Sequence, residues 1–298
     1  MLPAMKLAYS TNGFTETDLP TALRQIARIG FPAVEILADA PHWHPLESTE
    51  AELDALKAAL DETGLQISNI NANTANCLWP QPLPEPVFEP SMSNSEPSIR
   101  RQRIDYTLAC LELAAIIGAP TVSVASGRGE GHVEPERAMA FFAEALSEIC
   151  VRAEQLGVKV GIEYEPALLV ERAEEVSALI EVVGSPALGA NLDIGHAICA
   201  YEDPLESIRL LAGRIWNVHV EDIKGRKHHH LVPGEGDIDF PRIFDALAEV
   251  GYDRHLTVEL YTCSHWAEPA ARRAFTHLHP ILEATLLGRA VRARPQGL

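Results

Sequence analysis

Four short runs in the second half of the chain each bring an apolar stretch to a residue that can hold a metal or carry a proton. They are Glu163 in GIEYEP, Asp193 in NLDIGH, His219 in NVHVED and Glu259 in TVELY. An unpaired carboxylate behind such a stretch is costly to bury, and each residue alone is accounted for by a salt bridge or a core hydrogen bond. Together, three carboxylates and one imidazole form a hard, mostly oxygen donor set. It suits Mn²⁺ or Mg²⁺, and the histidine makes Zn²⁺ and Co²⁺ compatible. A second concentration is His228, His229 and His230 in KGRKHHHLVPGEGDIDF. The triplet lies inside the chain between a strand-like and a helix-like run, so it is no terminal tag, and it reads as either a metal site or a solvated loop. Gly234 and Gly236 behind it mark a tight turn rather than a phosphate cradle.

The elements that must position these residues alternate regularly. KLAYSTNGF is followed by TDLPTALRQIARIG, PAVEILADA by TEAELDALKAALDETG, and LQISNINANTAN by IRRQRIDYTLACLELAAIIG. TVSVASG, KVGIEYEP, LGANLDIGH, IWNVHVED and HLTVELY continue the series, each with a helical run behind it. Eight strand–helix units in 298 residues predict a parallel sheet closed into a single (β/α)8 TIM barrel spanning residues 1–298. A doubly wound open sheet is the alternative, but no GxGxxG follows the first strand. Side chains at the C-terminal strand ends of a barrel converge on one pocket, which is where the four candidates fall. Residues 77–99, rich in proline and without period, leave the third strand on that same face. They read as a lid or as a proline-stiffened surface excursion, and in the lid reading Trp79 and Phe88 are its substrate-facing groups.

Composition narrows the partners. Acidic residues number 42 against 24 basic ones, a formal charge of −18, which disfavours a nucleic-acid backbone. Five cysteines without CxxC spacing fit a reducing compartment, with Cys110 and Cys150 as buried hydrophobes. No apolar run approaches the length of a membrane span, so a soluble, cytoplasmic protein is expected, and assembly into a homo-oligomer stays open.

With these motifs in hand, the chain resembles the xylose-isomerase-like barrels, a superfamily that includes sugar isomerases and 3-epimerases, inosose dehydratase and endonuclease IV. GIEYEP, LDIGH, NVHVED, PGEGDIDF and TVELY carry the resemblance, which covers nearly the whole chain. It implies that Glu163, Asp193, His219 and Glu259 bind one divalent metal and that Glu163 and Glu259 also exchange protons with a small carbohydrate. The chemistry is coherent, because a Lewis acid stabilises the ene-diolate left when a carboxylate removes a proton beside a carbonyl. The resemblance further implies that His196, three residues after Asp193, contacts a substrate oxygen; a helix-start histidine held by backbone is the alternative. Asn71 and Asn73 read as substrate hydrogen-bonders or as ordinary polar residues at a strand end. The role of Glu165 is open. In endonuclease IV an Asp-Arg-His segment helps bind additional zinc at the place of His228–His230, but His228 breaks the match and the early strands lack that enzyme's histidines. His230 is therefore expected to face the pocket and His229 to point away, with Asp222 orienting His219 or His230.

A metal-dependent isomerase or epimerase is the leading expectation. A dehydratase using the same intermediate, a phosphodiesterase acting on abasic DNA, and a non-catalytic binding barrel are the alternatives.

Overall fold

The computed structural model describes residues 5–79 and 88–292. Five of its strand–helix units come first: β1 (Lys6–Ser10), α1 (Leu19–Ile29), β2 (Ala33–Leu37), α2 (Glu50–Thr63), β3 (Gln66–Asn71), α3 (Pro97–Ile117), β4 (Thr121–Ala125), α4 (Pro135–Leu156), β5 (Lys159–Glu163) and α5 (Ala173–Val183). Next are β6 (Leu188–Asp193), α6 (Ile194–Cys199), α7 (Pro204–Leu210) and β7 (Ile215–Val220). The chain continues through β8 (Asp222–Lys224), β9 (Lys227–Leu231), α8 (Phe240–Glu249), β10 (His255–Val258) and α9 (Ala267–Arg292). Strands β1 to β7 and β10 pair in parallel, and β10 closes back onto β1. This is the expected (β/α)8 TIM barrel.

Local chemistry explains the regular punctuation. The helices α1 to α5 each end on a glycine in the left-handed region, Gly30, Gly64, Gly118, Gly157 and Gly184, with φ between 66° and 116°. Only glycine enters that region without a Cβ penalty, so the next strand can start within a few residues. At the other ends, Asp18 caps α1, and Thr49 with Glu52 forms a capping box on α2. The strands themselves are buried on both faces, as a parallel barrel wrapped by helices requires. Cys110 and Cys150 lie in this apolar packing, as expected. Among the described residues, no helix is long and apolar enough to cross a membrane.

One element was not foreseen. Between β7 and α8 the chain forms an antiparallel hairpin, β8 with β9, in which Asp222 pairs with Leu231 and Lys224 with Lys227. The histidine triplet is thus strand rather than loop. Strand alternation sends His228 and His230 to one side and leaves His229 exposed on the other.

The close approach of β6 and β7 can be tested. A Cβ on Gly189 would come within 2.2 Å of the Arg214 carbonyl oxygen and 2.3 Å of Trp216 Nε1. Gly189→Ala should therefore lower folding stability by about 1–3 kcal/mol, read as a drop in denaturant midpoint. An unchanged midpoint would contradict the register of these strands.

Candidate metal centre

Successive residues of a strand face opposite sides, so polar residues two apart share the barrel interior. Asn69 and Asn71 do so on β3, Asn191 and Asp193 on β6, and Asn217 and His219 on β7, and all six are buried. Glu163 ends β5, and Glu259 directly follows β10. Glu163, Asp193, His219 and Glu259 are together: each offers a ligand atom, and these atoms lie within 4.8 Å of one another. His219 Nδ1 is 3.2 Å from Glu163, 3.6 Å from Glu259 and 3.9 Å from Asp193.

Each side chain is held from behind. On the far side of His219, Nε2 is 2.7 Å from Glu35 Oε2. If that nitrogen donates its proton to Glu35, the Nδ1 lone pair is turned toward the three carboxylates, as an imidazole ligand needs. Glu35 is itself held by Asn69 at 2.8 Å and Asn71 at 3.0 Å. Glu259 Oε1 accepts from Asn12 at 2.8 Å and Asn71 at 3.0 Å, leaving Oε2 toward the cluster. Glu163 Oε2 accepts from Asn73 at 2.7 Å and from Asn191. Arg103, buried beneath, donates to the carbonyls of Ala72 and Asn73 and fixes that end of the third strand. The amide of Asn71 is thus engaged with two carboxylates, and that of Asn73 with a third.

Asp193 ends β6 and also caps α6, with Oδ1 accepting from the His196 backbone at 2.7 Å. Its Oδ2 is buried, and Asp193 has the Glu221 carboxyl within hydrogen-bond reach, which burial and the Asp193 charge push well above the usual carboxylate range. Gly195 makes room for Glu221, because a Cβ there would meet Glu221 Oε1 at 1.6 Å. Asp222 departs from expectation. Instead of orienting His219 or His230, its carboxylate accepts the backbone N–H groups of Ile223, Gly234, Gly236 and Ile238. Three amides of the PGEGDI turn and that of the adjacent Ile223 saturate the carboxylate, so it fixes the turn behind the hairpin.

A cavity of about 440 Å³ opens above the cluster, lined among others by Asn71, Asn73, Phe88, Arg128, Glu163, Glu165, His196, His228, His230, Glu259 and Tyr261. His228 is therefore no solvated loop residue. Phe88 reaches the cavity, but Trp79 does not line it and instead donates from Nε1 to the Glu89 carbonyl at 2.8 Å. The remainder of the expected lid, residues 80–87, lies outside the described residues. His196 is held by backbone, with Nδ1 3.1 Å from the Tyr164 carbonyl, and it also lines the cavity, so both readings of it hold positionally. His230 keeps a φ of 43°, an uncommon value for a side chain of its size.

The electrostatics follow from enclosing like charges. Burial pushes Glu259 up to about 8, reinforced by Glu163, Glu35 and Asp193 and opposed by His219. Burial, with help from Glu163 and Asp193, likewise lifts Glu165 to about 7. Burial alone would raise Asp193, but the imidazoles of His196, His230 and His219 outweigh it and bring it to about 2. For His219, burial opposes the charge, and the surrounding Glu163, Glu35 and Glu259 carboxylates raise it well above the usual range. Burial lowers His228 to about 4 and His230 to about 3. Three enclosed carboxylates around one imidazole, their ligand atoms within 4.8 Å of one another, make a buried cluster that fits a divalent cation.

A family model described as xylose isomerase-like TIM barrel matches residues 23–280. The chain belongs to that family. Among its relatives, fructoselysine 3-epimerase of Escherichia coli O157:H7 is 23% identical over 284 residues, covering 93% of this chain and 98% of that protein. Inosose dehydratase of Clostridium beijerinckii is 23% identical over 281 residues, covering 86% of this chain and 89% of the relative. The solved structure of an L-ribulose 3-epimerase superposes with a TM-score of 0.78 at 19% identity, covering 99% of this chain and all of that one. Within the family fold, Glu35, Asn191 and Asn217 escaped the sequence reading. The available signal was a polar residue two positions before a candidate ligand, or, for Glu35, a lone carboxylate inside AVEIL.

Two substitutions test the centre. Asp193→Ala should abolish tight Mn²⁺ binding. Glu35→Gln, which leaves every proposed ligand in place but loosens the imidazole, should weaken it about 10–100-fold. Calorimetric titration of the chelator-treated proteins checks both, and wild-type affinity in Asp193→Ala would remove that residue from the site.

Proposed function

We propose that the protein is a divalent-metal-dependent epimerase or isomerase of a small sugar, keto-sugar or polyol, with Glu163 and Glu259 as the two proton-carrying groups. The observation that carries this reading is the meeting of two buried, separately anchored glutamates at one cation-suited cluster below a cavity of about 440 Å³, which falls within the ordinary size range for small-ligand sites. Glu163 arrives from β5 and Glu259 from β10, with β6 and β7 between them in the barrel. Each is gripped by a different pair of asparagines, so the two approach a bound substrate from different directions. One carboxylate takes the proton beside the carbonyl, and the other returns a proton to the opposite face of the planar intermediate. Glu163, Asp193, His219 and Glu259 would hold the ion, Mn²⁺ or Mg²⁺ best matching the three carboxylates. Bound there, it would supply the Lewis acidity that makes the C–H between the substrate's carbonyl and hydroxyl carbons acidic enough for this exchange.

The chain's other cavity residues have matching tasks. His196 and His230 present ring nitrogens to the cavity and can meet sugar oxygens, while the side-chain amide of Asn71 keeps Glu259 in place. Phe88, from the proposed lid, provides an apolar face that helps exclude water. The similarity to fructoselysine 3-epimerase over nearly the whole chain supports proton exchange at a carbon bearing a hydroxyl. The similarity to inosose dehydratase supports a second reading, in which the same proton removal is followed by loss of a neighbouring hydroxyl as water.

Turnover in deuterated water separates these readings. An epimerase places solvent deuterium on the reacting carbon of a product with the substrate's formula, whereas a dehydratase gives a product lighter by one water. Glu259→Gln should reduce turnover about 10²–10⁴-fold with a smaller loss in metal affinity, and it should not incorporate deuterium. A wild-type sugar product without solvent deuterium would point instead to internal hydride transfer and leave both glutamates as ligands only.

A further inference from the structure

We propose that the N-terminal end of the barrel, opposite the metal cluster, binds a phosphate-type oxyanion among Lys6, Lys159, Arg214, Arg254 and His255, around the ring of Trp216. Lys6, Lys159 and His255 open β1, β5 and β10, and Arg214 and Arg254 immediately precede β7 and β10. Shared neighbours tie the bases together. The Lys159 ammonium and the Arg254 guanidinium each lie 5.0 Å from the centre of the Trp216 ring. Lys159 donates to the Pro186 carbonyl at 2.9 Å, and Arg214 to those of Ser185 and Leu188 at 3.3 Å. Burial, reinforced by Lys6 and Arg254, pushes the His255 imidazole down to about 4. Lys159 and Glu163 are four residues apart on one strand, so about 13 Å separates this end from the metal cluster.

Charge accounting carries the inference. With 42 acidic residues against 24 basic ones, a base on this protein has carboxylates to spare. Arg24, Arg101, Arg152, Arg272 and Arg273 each have one within 4 Å, and all five sit on helices. Among the described residues, none of Lys6, Lys159, Arg214 and Arg254 does. The nearby carboxylates are committed or apart: Glu154 accepts from Ser185 Oγ at 2.6 Å, and Asp253 is exposed.

Barrel helices end at this side, and their terminal carbonyls attract bases. The contacts of Lys159 and Arg214 with the segment behind α5 are of that kind, but they use few of the donors present. An ammonium has three N–H groups and a guanidinium five. Lys159 spends one on Pro186 and Lys6 one on Gln66 Oε1 at 2.8 Å, while the Arg254 guanidinium meets only the Trp216 ring among the described residues. Trp216 Nε1 and His255 Nε2 are buried there without a partner as well. Donors in excess of acceptors, three of the cations gathered by Trp216 and His255, suit a tetrahedral oxyanion. A cavity of about 180 Å³, lined among others by Trp216, Tyr252, Asp253 and Arg254, opens at this end, below the usual range for drug-sized ligands. Free phosphate and the phosphate end of a small metabolite offer the same chemistry. The proposal does not rest on the sugar-epimerase reading.

Calorimetric titration of the chelator-treated protein with inorganic phosphate, at fixed ionic strength, should show one site per chain. Arg254→Gln and Lys159→Gln should each weaken it about 10–100-fold, whereas Arg128→Gln, at the cavity on the other end, should leave it unchanged. Glycerol phosphate distinguishes the sources: tighter binding than inorganic phosphate identifies a phosphorylated metabolite, and weaker binding the free ion. The His255 imidazole, followed by NMR in the wild type, needs no variant. Phosphate should raise its pKa, because a nearby anion favours the charged ring. No binding at millimolar phosphate, wild-type affinity in both Arg254→Gln and Lys159→Gln, loss of binding in Arg128→Gln, or a His255 titration unmoved by phosphate would each overturn the site.

Discussion

Four carboxylates lie within 4 Å of a single buried imidazole, His219, and the rest of the barrel mouth is organised around keeping them there. Two like charges 4 Å apart repel by about 4 kcal/mol at an effective dielectric of 20, so a group of this kind cannot stay fully ionised and unaccompanied. The protein answers in three ways. Glu35 pairs with the outer nitrogen of His219, buried asparagines donate to Glu35, Glu163 and Glu259, and Glu259 is shifted to about 8. On the Asp193 side the Glu221 carboxyl, pushed well above the usual carboxylate range by burial and by Asp193, adds to the crowding. A dication at the cluster would offset that crowding and replace the proton that burial forces onto Glu259.

The fold serves this constraint through strand period and strand ends. Period-two alternation puts an asparagine directly beneath Asp193 and beneath His219, so the supporting and coordinating groups come on the same rigid strands. Asp193 gains further precision by capping α6, which commits one oxygen to the His196 backbone and turns the other toward the cluster. The hairpin after β7 adds what a plain barrel lacks. It lifts His228 and His230 to the cavity rim, and the three turn amides bonded to Asp222 hold the turn that follows it.

Much of this was legible because it depends on local pattern. Helix-ending glycines and alternating strand and helix periods specify the eight units, and an apolar run that reaches an acid or a histidine marks a barrel-end ligand. The supporting shell was harder to read because its partners are distant in sequence: Glu35 and His219 are 184 positions apart, and nothing in AVEIL indicates which imidazole it meets. Trp79 was expected in the cavity, but whether a loop side chain turns inward depends on its own partner, here the Glu89 carbonyl. Asp222 was expected to reach a histidine, but backbone amides of the turn it precedes saturate it first. His228 looked like loop because two short strands separated by Gly225 and Arg226 give too little alternation to register as a hairpin.

The central claim is that the buried carboxylate–histidine cluster is built to hold a divalent cation. Its most direct test is the melting temperature of chelator-stripped protein followed across a series of Mn²⁺ concentrations. Binding to the native state alone adds RT ln(1 + [L]/Kd) of stability, about 2.7 kcal/mol at one hundred times Kd. The account predicts a melting temperature that keeps rising with the logarithm of Mn²⁺ concentration above Kd. A melting temperature independent of Mn²⁺ across the series, with Zn²⁺, Co²⁺ and Mg²⁺ equally without effect, would contradict it.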